Sequence, residues 1–158
     1  MKVILPAAIV QASPAASFEP AFEEFRVATK TPLRIALVDD HEMVRQGLRW
    51  LLEDHQDIRV VGEAKDGREA IAMAHELKPD VIVMDVNMPG LNGIEATRRI
   101  VLDQPGVIVI GLSFASDRSV QAAMKDAGAY VCLTKERAAE DIYRAIVDAV
   151  NQRPPGKT

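Results

Sequence analysis

Residues 81–90 read Val-Ile-Val-Met-Asp-Val-Asn-Met-Pro-Gly, and this stretch decides the predicted fold. Residues 81–84 are consecutively apolar, which is typical of a strand that is covered on both faces in a parallel sheet. Pro89-Gly90 marks a turn after that strand. Asp85 stands between the two signals, so the stretch predicts a buried parallel strand with a carboxylate at its carboxyl end.

Four further apolar runs flank this stretch, and amphipathic segments separate all five. The runs lie at residues 35–38, 60–61, 107–110 and 130–133. Apolar residues at helical spacing mark the segments between and after them: Val44, Leu48, Leu51 and Leu52; Ile71 and Ala74; Ile94 and Ile100; Val120 and Met124; Ile142, Ile146 and Val150. Five strand–helix units in succession predict a doubly wound α/β sandwich.

Composition narrows the class of protein. The 158 residues carry a formal net charge of -4, which argues against bulk electrostatic binding to nucleic acid. The single cysteine, Cys132, excludes an internal disulfide and fits a reducing compartment. No apolar run reaches the length of a membrane span. Residues 1–10 resemble a secretion signal only weakly, because Lys2 is the sole basic residue and Pro6 interrupts the apolar stretch, so we expect a cytoplasmic protein.

The two ends of the chain differ from the centre. Residues 1–32 are rich in alanine and proline and are predicted to be an extension or linker. Phe18, Phe22 and Phe25 are spaced to share one face of a short helix, which either packs lightly on the main domain or docks on a partner. Residues 151–158 form a polar tail.

Polar side chains follow four of the predicted strands. Asp39 and Asp40 follow the first, Asp85 the third, Ser113 the fourth and Lys135 the fifth. The carboxyl ends of parallel strands meet at one edge of the sheet, where such folds bind ligands. Carboxylates that approach one another need a cation, and Mg²⁺ suits oxygen ligands. One carboxylate can then act as a nucleophile toward a phosphoryl group that the metal and the lysine neutralise.

Taken singly, each of these residues has an ordinary structural explanation. Asp40 or His41 could cap the first helix, a serine after a strand is usually a turn residue, and a lysine in a loop is usually solvated. Their joint position at one edge of the sheet favours a phosphoryl site.

The quoted segments resemble the receiver domains of two-component response regulators. The resemblance covers residues 33–150 and rests on four segments: residues 38–41 (Val-Asp-Asp-His), 83–93 (Val-Met-Asp-Val-Asn-Met-Pro-Gly-Leu-Asn-Gly), 111–113 (Gly-Leu-Ser) and 133–135 (Leu-Thr-Lys). It implies a flavodoxin-like, five-stranded parallel sheet in the order 2-1-3-4-5 with five helices. The subtype is similar to receivers of helix-turn-helix regulators and to C-terminal receivers of hybrid histidine kinases.

The resemblance also implies a role for each site residue. Asp85 would be the phosphoacceptor, in a protein that catalyses its own phosphorylation and dephosphorylation and is not otherwise an enzyme. The implied Mg²⁺ ligands are Asp40, Asp85 and the Asn87 backbone carbonyl, with Asp39 acting through water. Ser113 is similar to the switch hydroxyl, and Lys135 to the lysine that pairs with the acceptor and its phosphate.

Two positions depart from the family pattern. Cys132 stands where most receivers have an aromatic residue that changes rotamer, and Tyr130, two residues earlier, could share its strand face. Glu136 follows the lysine where many members have proline, a mark of the helix-turn-helix subtype.

The implied partner is a sensor histidine kinase or a phosphotransfer protein. A homodimer through the fourth helix, fifth strand and fifth helix is left open, and we expect no DNA-binding domain in this chain and no membrane association. Two alternative functions also stay open: a receiver-like interaction module regulated without phosphorylation, and an aspartate-nucleophile phosphohydrolase. The second is disfavoured because such enzymes carry the nucleophile on their first strand.

Overall fold

The computed structural model describes residues 31–153, and within this range five strands alternate with five helices. The strands are β1 (Leu33–Val38), β2 (Ile58–Ala64), β3 (Val81–Asp85), β4 (Ile108–Ser113) and β5 (Val131–Thr134). The helices are α1 (Glu42–Glu53), α2 (Gly67–Leu77), α3 (Gly93–Asp103), α4 (Arg118–Asp126) and α5 (Lys135–Asn151). Residues 1–30 of the predicted extension, with its three phenylalanines, and residues 154–158 of the predicted tail lie outside the described residues.

The five strands form one parallel sheet in the order β2-β1-β3-β4-β5, which confirms the predicted flavodoxin-like topology. Because every strand runs in the same direction, all five carboxyl ends lie along one edge. The winding reverses between β1 and β3, and that reversal opens a crevice at this edge.

Each face of the sheet supports its own core. Alternation along β1 directs Ile35 and Leu37 toward α1 and α5, where Leu52 and Ile142 are fully buried. The opposite face of β1 packs against α2, α3 and α4 through a second cluster. Burial of each large aliphatic side chain contributes about 1.5–3 kcal/mol to folding, so the strands that carry the site are firmly held. None of the helices in residues 31–153 is both long and apolar enough to cross a membrane.

The boundaries of all five strands differ by a few residues from the predicted apolar runs. Val107 and Tyr130 precede β4 and β5, because the turns after Pro105-Gly106 and Gly128 occupy these positions. β2 is longer than the predicted residues 60–61, since it is an edge strand whose exposed Arg59 breaks the apolar run. A strand with one solvated side alternates between apolar and polar residues, so a search for continuous apolar runs underestimates its length.

Candidate functional site

The carboxyl edge of the sheet brings the predicted acidic residues together. Asp39 and Asp40 follow β1, and Asp85 is the last residue of β3. Carboxylate oxygens of these three residues and Nδ1 of His41 all lie within 4.8 Å of one another. The structure therefore forms the acidic cluster that the sequence predicts.

Lys135 connects two of these carboxylates. It is the first residue of α5, directly after β5, and its Nζ lies 2.7 Å from Asp39 Oδ2 and 3.2 Å from Asp85 Oδ1. Asp39 is 1% exposed and Asp85 is 0% exposed. One ammonium thus faces two buried carboxylates, so its single positive charge does not balance the negative charges of Asp39 and Asp85.

The hydrogen bonds use some carboxylate oxygens and leave others without a partner. Both oxygens of Asp39 accept hydrogen bonds, from the His41 backbone N–H (2.8 Å) and from Lys135. Asp85 Oδ1 accepts from the Asn87 backbone N–H at 3.1 Å. Asp85 Oδ2 and Asp40 Oδ1 are buried and have no hydrogen-bond partner.

These two oxygens fit a hard cation. A buried carboxylate oxygen without a partner is costly, and coordination to a divalent ion compensates that cost. His41 Nδ1 lies 3.1 Å from Asp40 Oδ1, but this contact lacks hydrogen-bond geometry. The donor set is dominated by oxygen, which favours Mg²⁺-like ions over softer metals.

Burial raises the pKa of Asp85 from 3.8 to about 6, and the negative charge of Asp39 adds to the rise. Lys135 and the Asn87 N–H act in the opposite direction because they stabilise the carboxylate. At neutral pH Asp85 is therefore ionised in a place that disfavours its charge, which is the condition of a carboxylate that gains from a metal ion.

Ser113 is buried at the end of β4, but its hydroxyl is not directed at the carboxylates. The Oγ donates to the backbone carbonyl of Ala115 at 2.9 Å. Cys132 lies on the neighbouring strand beside Gly111, and burial raises the pKa of its thiol, partly opposed by a hydrogen bond with Ser113. Cys132 is half-buried and packs against the cluster that includes Met124 of α4. Because the pKa of its thiol is raised, it is not a reactive thiolate at neutral pH.

Tyr130 does not replace the missing aromatic. It precedes β5 at the amino edge of the sheet and lines a surface pocket with Gly106 and Val107. The expectation that it could share the strand face of Cys132 is wrong, because the strand begins one residue later and runs away from it toward the site.

Phe114 is a site residue that sequence reasoning missed. Its ring centroid lies 4.2 Å from Lys135 Nζ, and the ring meets His41 edge to face at 6.4 Å. An aromatic residue immediately after a predicted strand-end serine was the available signal, but nothing in the sequence indicates the direction of the ring.

The start of α1 also differs from expectation. His41 occupies the N-cap position, yet neither its side chain nor that of Asp40 makes a capping hydrogen bond. The His41 ring instead faces Asp39 Oδ1 at 3.2 Å, and Arg45 donates to the Asp39 carbonyl at 2.6 Å. The first turn of α1 therefore holds the acidic loop in place.

The loop after Asp85 depends on two glycines. Gly90 has a φ of 78°, a left-handed conformation that favours glycine. A Cβ on Gly93 would overlap the Asp85 carbonyl oxygen, so only glycine allows α3 to begin against the backbone of Asp85.

Comparison with known sequences agrees with this geometry. A family model described as the response regulator receiver domain matches residues 35–147. The response regulator protein VraR of Staphylococcus saprophyticus is 44% identical over 121 residues, which are 76% of this chain and 57% of that protein. VraR of Staphylococcus aureus is 47% identical over 115 residues, 72% of this chain and 54% of that protein. The chain thus spans a little over half the length of these relatives.

Solved structures show the same fold. A LuxR-family two-component response regulator from Aurantimonas sp. SI85-9A1 has a TM-score of 0.74 at 35% identity, covering 78% of this chain and 88% of that chain. The response regulator domain of Thermotoga maritima CheB has a TM-score of 0.71 at 34% identity, covering 78% and 99%. On the matched sequence, the shared topology and the acidic edge of the sheet, the chain belongs to the response regulator receiver domain family.

Proposed function

We propose that this chain is a phosphorylation-dependent switch of a two-component phosphorelay, with Asp85 as the phosphoacceptor. The observation that carries the proposal is the state of the Asp85 carboxylate. One oxygen is anchored by Lys135 and Asn87, and the other is buried and has no partner. The end of β3 thus holds a carboxylate in a fixed orientation, with one oxygen that has no hydrogen-bond partner and can act as the nucleophile.

The chemistry is a transfer of one phosphoryl group. An Asp85 carboxylate oxygen attacks the phosphorus of the donor, the new O–P bond forms, and the bond from phosphorus to the donor nitrogen or oxygen breaks with its electron pair leaving on the donor. The product is an acyl phosphate. Lys135 balances the charge of the phosphoryl oxygens at a site that is shielded from water. Attack of water on the acyl phosphate restores Asp85 and releases inorganic phosphate.

Mg²⁺ is the proposed cofactor. Asp40, Asp85 and the Asn87 carbonyl would hold it directly, and Asp39, whose oxygens are already used, would act through water. When bound, the ion supplies positive charge that both the acidic cluster and the transferred group need.

Ser113 is the proposed switch residue. Its hydroxyl now donates to the Ala115 carbonyl, and a phosphoryl oxygen on Asp85 is a stronger, charged acceptor. Exchange of one acceptor for the other would release the backbone of Ala115, and with it the start of the segment after β4.

A histidine kinase or phosphotransfer protein is the proposed donor, in a cytoplasmic setting, and residues 33–150 are the proposed receiver domain. The relatives that the chain matches are named response regulators and are longer, so the output of this chain is proposed only as that of a receiver. A homodimer through α4, β5 and α5 is one form that the output could take.

Intact-mass spectrometry after incubation with acetyl phosphate and Mg²⁺ tests the proposal. We expect the wild type to gain the mass of one phosphoryl group and Asp85→Asn to gain none. Asp103→Asn is the matched control, because this exposed aspartate lies at the end of α3, outside the site. Equal labelling of wild type and Asp85→Asn would refute the assignment.

The same experiment addresses both alternatives. Cys132 at the usual aromatic position is the observation that favours a module regulated without phosphate, and complete absence of labelling would support it. Rapid release of phosphate without accumulation of the labelled protein would indicate a phosphohydrolase, because a switch must accumulate its acyl phosphate.

A further inference from the structure

A groove separates α1 from α5 on the face of the domain remote from α3. Its volume is about 590 Å³, and its walls include Trp50, Leu51, His55, Ala139 and Tyr143. Trp50 is 74% exposed, although a tryptophan is costly to leave in water. An exposed tryptophan on the wall of a groove offers apolar surface on which another segment or molecule can pack.

Gly47 adds a second sign of an absent neighbour. It lies in the interior of α1 and lines the same groove, and a Cβ built on it meets no atom within 4 Å. Glycine destabilises a helix interior relative to alanine, and no contact of the described residues requires it here. A glycine on an open helix face does allow a partner to approach closely.

The chain enters the domain beside one end of this groove. The Leu33 backbone N–H donates to the Asp57 carbonyl at 2.8 Å, and the Tyr143 hydroxyl donates to Asp57 Oδ2 at 2.8 Å. The Tyr143 ring stacks on His55, with centroids 3.5 Å apart. The residues before Leu33 therefore begin their path next to the aromatic wall of the groove.

The preceding segment has the chemistry and the reach to fill it. The sequence spacing of Phe18, Phe22 and Phe25 would place them on one face of a helix, and neither the fold nor the proposed phosphoryl site gives these three residues a role. The seven residues between Phe25 and Leu33 span up to roughly 24 Å, and α1, with 12 residues, is about 18 Å long.

We propose that residues 18–30 lie along the groove between α1 and α5, with their phenylalanines against Trp50. This placement buries both apolar faces.

The indole of Trp50 is the natural reporter, because it is the only tryptophan of the chain. The full chain is compared with the variant Phe18→Ser/Phe22→Ser/Phe25→Ser by emission maximum and by acrylamide quenching. We expect the variant to emit at longer wavelength and to be quenched severalfold more efficiently. The matched control, Glu19→Ser/Glu23→Ser/Arg26→Ser, changes the same segment away from the phenylalanine face and is expected to resemble the wild type.

Two outcomes would overturn the proposal. If Trp50 is as accessible in the wild type as in the phenylalanine variant, the groove is uncovered. If its protection appears only as protein concentration rises, together with a dimer in light scattering, a second copy occupies the groove. Labelling of Asp85 by acetyl phosphate, measured on the same variants, reports folding and the proposed phosphoryl transfer separately from the groove.

Discussion

The ammonium of Lys135 lies 4.2 Å from the centroid of the Phe114 ring, so an aromatic face covers the lysine that contacts Asp39 and Asp85. The Lys135 side chain is 11% exposed, whereas Phe114 itself is 58% exposed. The phenyl ring thus stands in water on one side and shields the charged cluster on the other. A contact of this kind contributes about 0.5–2 kcal/mol when the cation is desolvated.

We expect Phe114→Ala to shorten the lifetime of phosphorylated Asp85, because water gains access to the acyl phosphate. The rate constant of phosphate loss should rise by about threefold to tenfold, which corresponds to roughly 0.7–1.4 kcal/mol in the barrier. Phos-tag electrophoresis over time measures this rate. Phe114→Leu separates the causes, because it keeps the apolar cover and removes the π face. An unchanged rate in Phe114→Ala would show that the ring does not limit access.

Asp85→Asn is expected to stabilise the metal-free fold at neutral pH. Because the pKa of Asp85 is raised from 3.8 to about 6, the folded state binds its proton more tightly than the unfolded state does. The contribution of Asp85 to the free energy of unfolding therefore falls as pH rises from 3.8 to about 6. The variant does not have this loss, so above pH 6 it should be more stable than the wild type by about 1–3 kcal/mol. Urea unfolding in EDTA at several pH values measures the difference. Asp103→Asn should show no such pH-dependent gain.

Mg²⁺ affinity should depend on Asp40 more than on Asp39. Asp40 Oδ1 is buried without a hydrogen-bond partner, whereas both oxygens of Asp39 are already bonded. Asp40→Asn is expected to weaken binding by at least about tenfold, a loss typical of ligands and their immediate neighbours. Calorimetric titration with MgCl₂ compares it with Asp39→Asn. Equal or reversed losses would contradict the ligand assignment.

Replacing Cys132 by tyrosine should strengthen the structural response to phosphate. Cys132 pairs with Gly111 in the sheet, and it is too small to fill space that Ser113 leaves when it moves. Amide exchange across residues 113–135, with and without beryllofluoride, is expected to change more in Cys132→Tyr than in the wild type. Cys132→Ala is the control. Met124 already packs over Gly111, so the larger ring should cost about 1–3 kcal/mol of stability through overpacking.

Gly93→Ala is expected to destabilise the fold, because its methyl group would overlap the Asp85 carbonyl oxygen. The loss should be about 2 kcal/mol or more, in the range of strongly disruptive substitutions. Glu76→Ala is the matched control, since this exposed residue of α2 lies outside the site, and it should change the stability little. Thermal unfolding of the two variants decides between these expectations.

The strand runs and the acidic edge could be predicted because they follow from local patterns and one rule of topology. Residues 81–84 are apolar on both sides and thus belong to a central strand, and parallel strands place Asp39 and Asp85 at a common edge. Neither inference needs the exact position of a side chain.

The remaining features depend on side-chain directions that no pattern encodes. Phe114 and Lys135 are 21 positions apart, and the contact between them depends on how the segment after β4 bends. From the sequence, His41 could either cap α1 or contact a neighbouring carboxylate, because both roles use the same position. The structure shows that its ring makes no capping hydrogen bond and faces Asp39. Tyr130 lies just before β5, at the amino edge of the sheet, and so away from the site at the carboxyl edge.

The close approach of Gly93 to the Asp85 carbonyl affects which positions of the domain can change during evolution. One neighbour of Asp85, the start of α3, is fixed against its backbone, while residues 114–117 on the other side are exposed. We expect displacements that start at Asp85 to travel toward α4 and β5 and to bypass α3. Selection on signal output should therefore act on α4 and β5, and the solvent face of α3 should be free to drift.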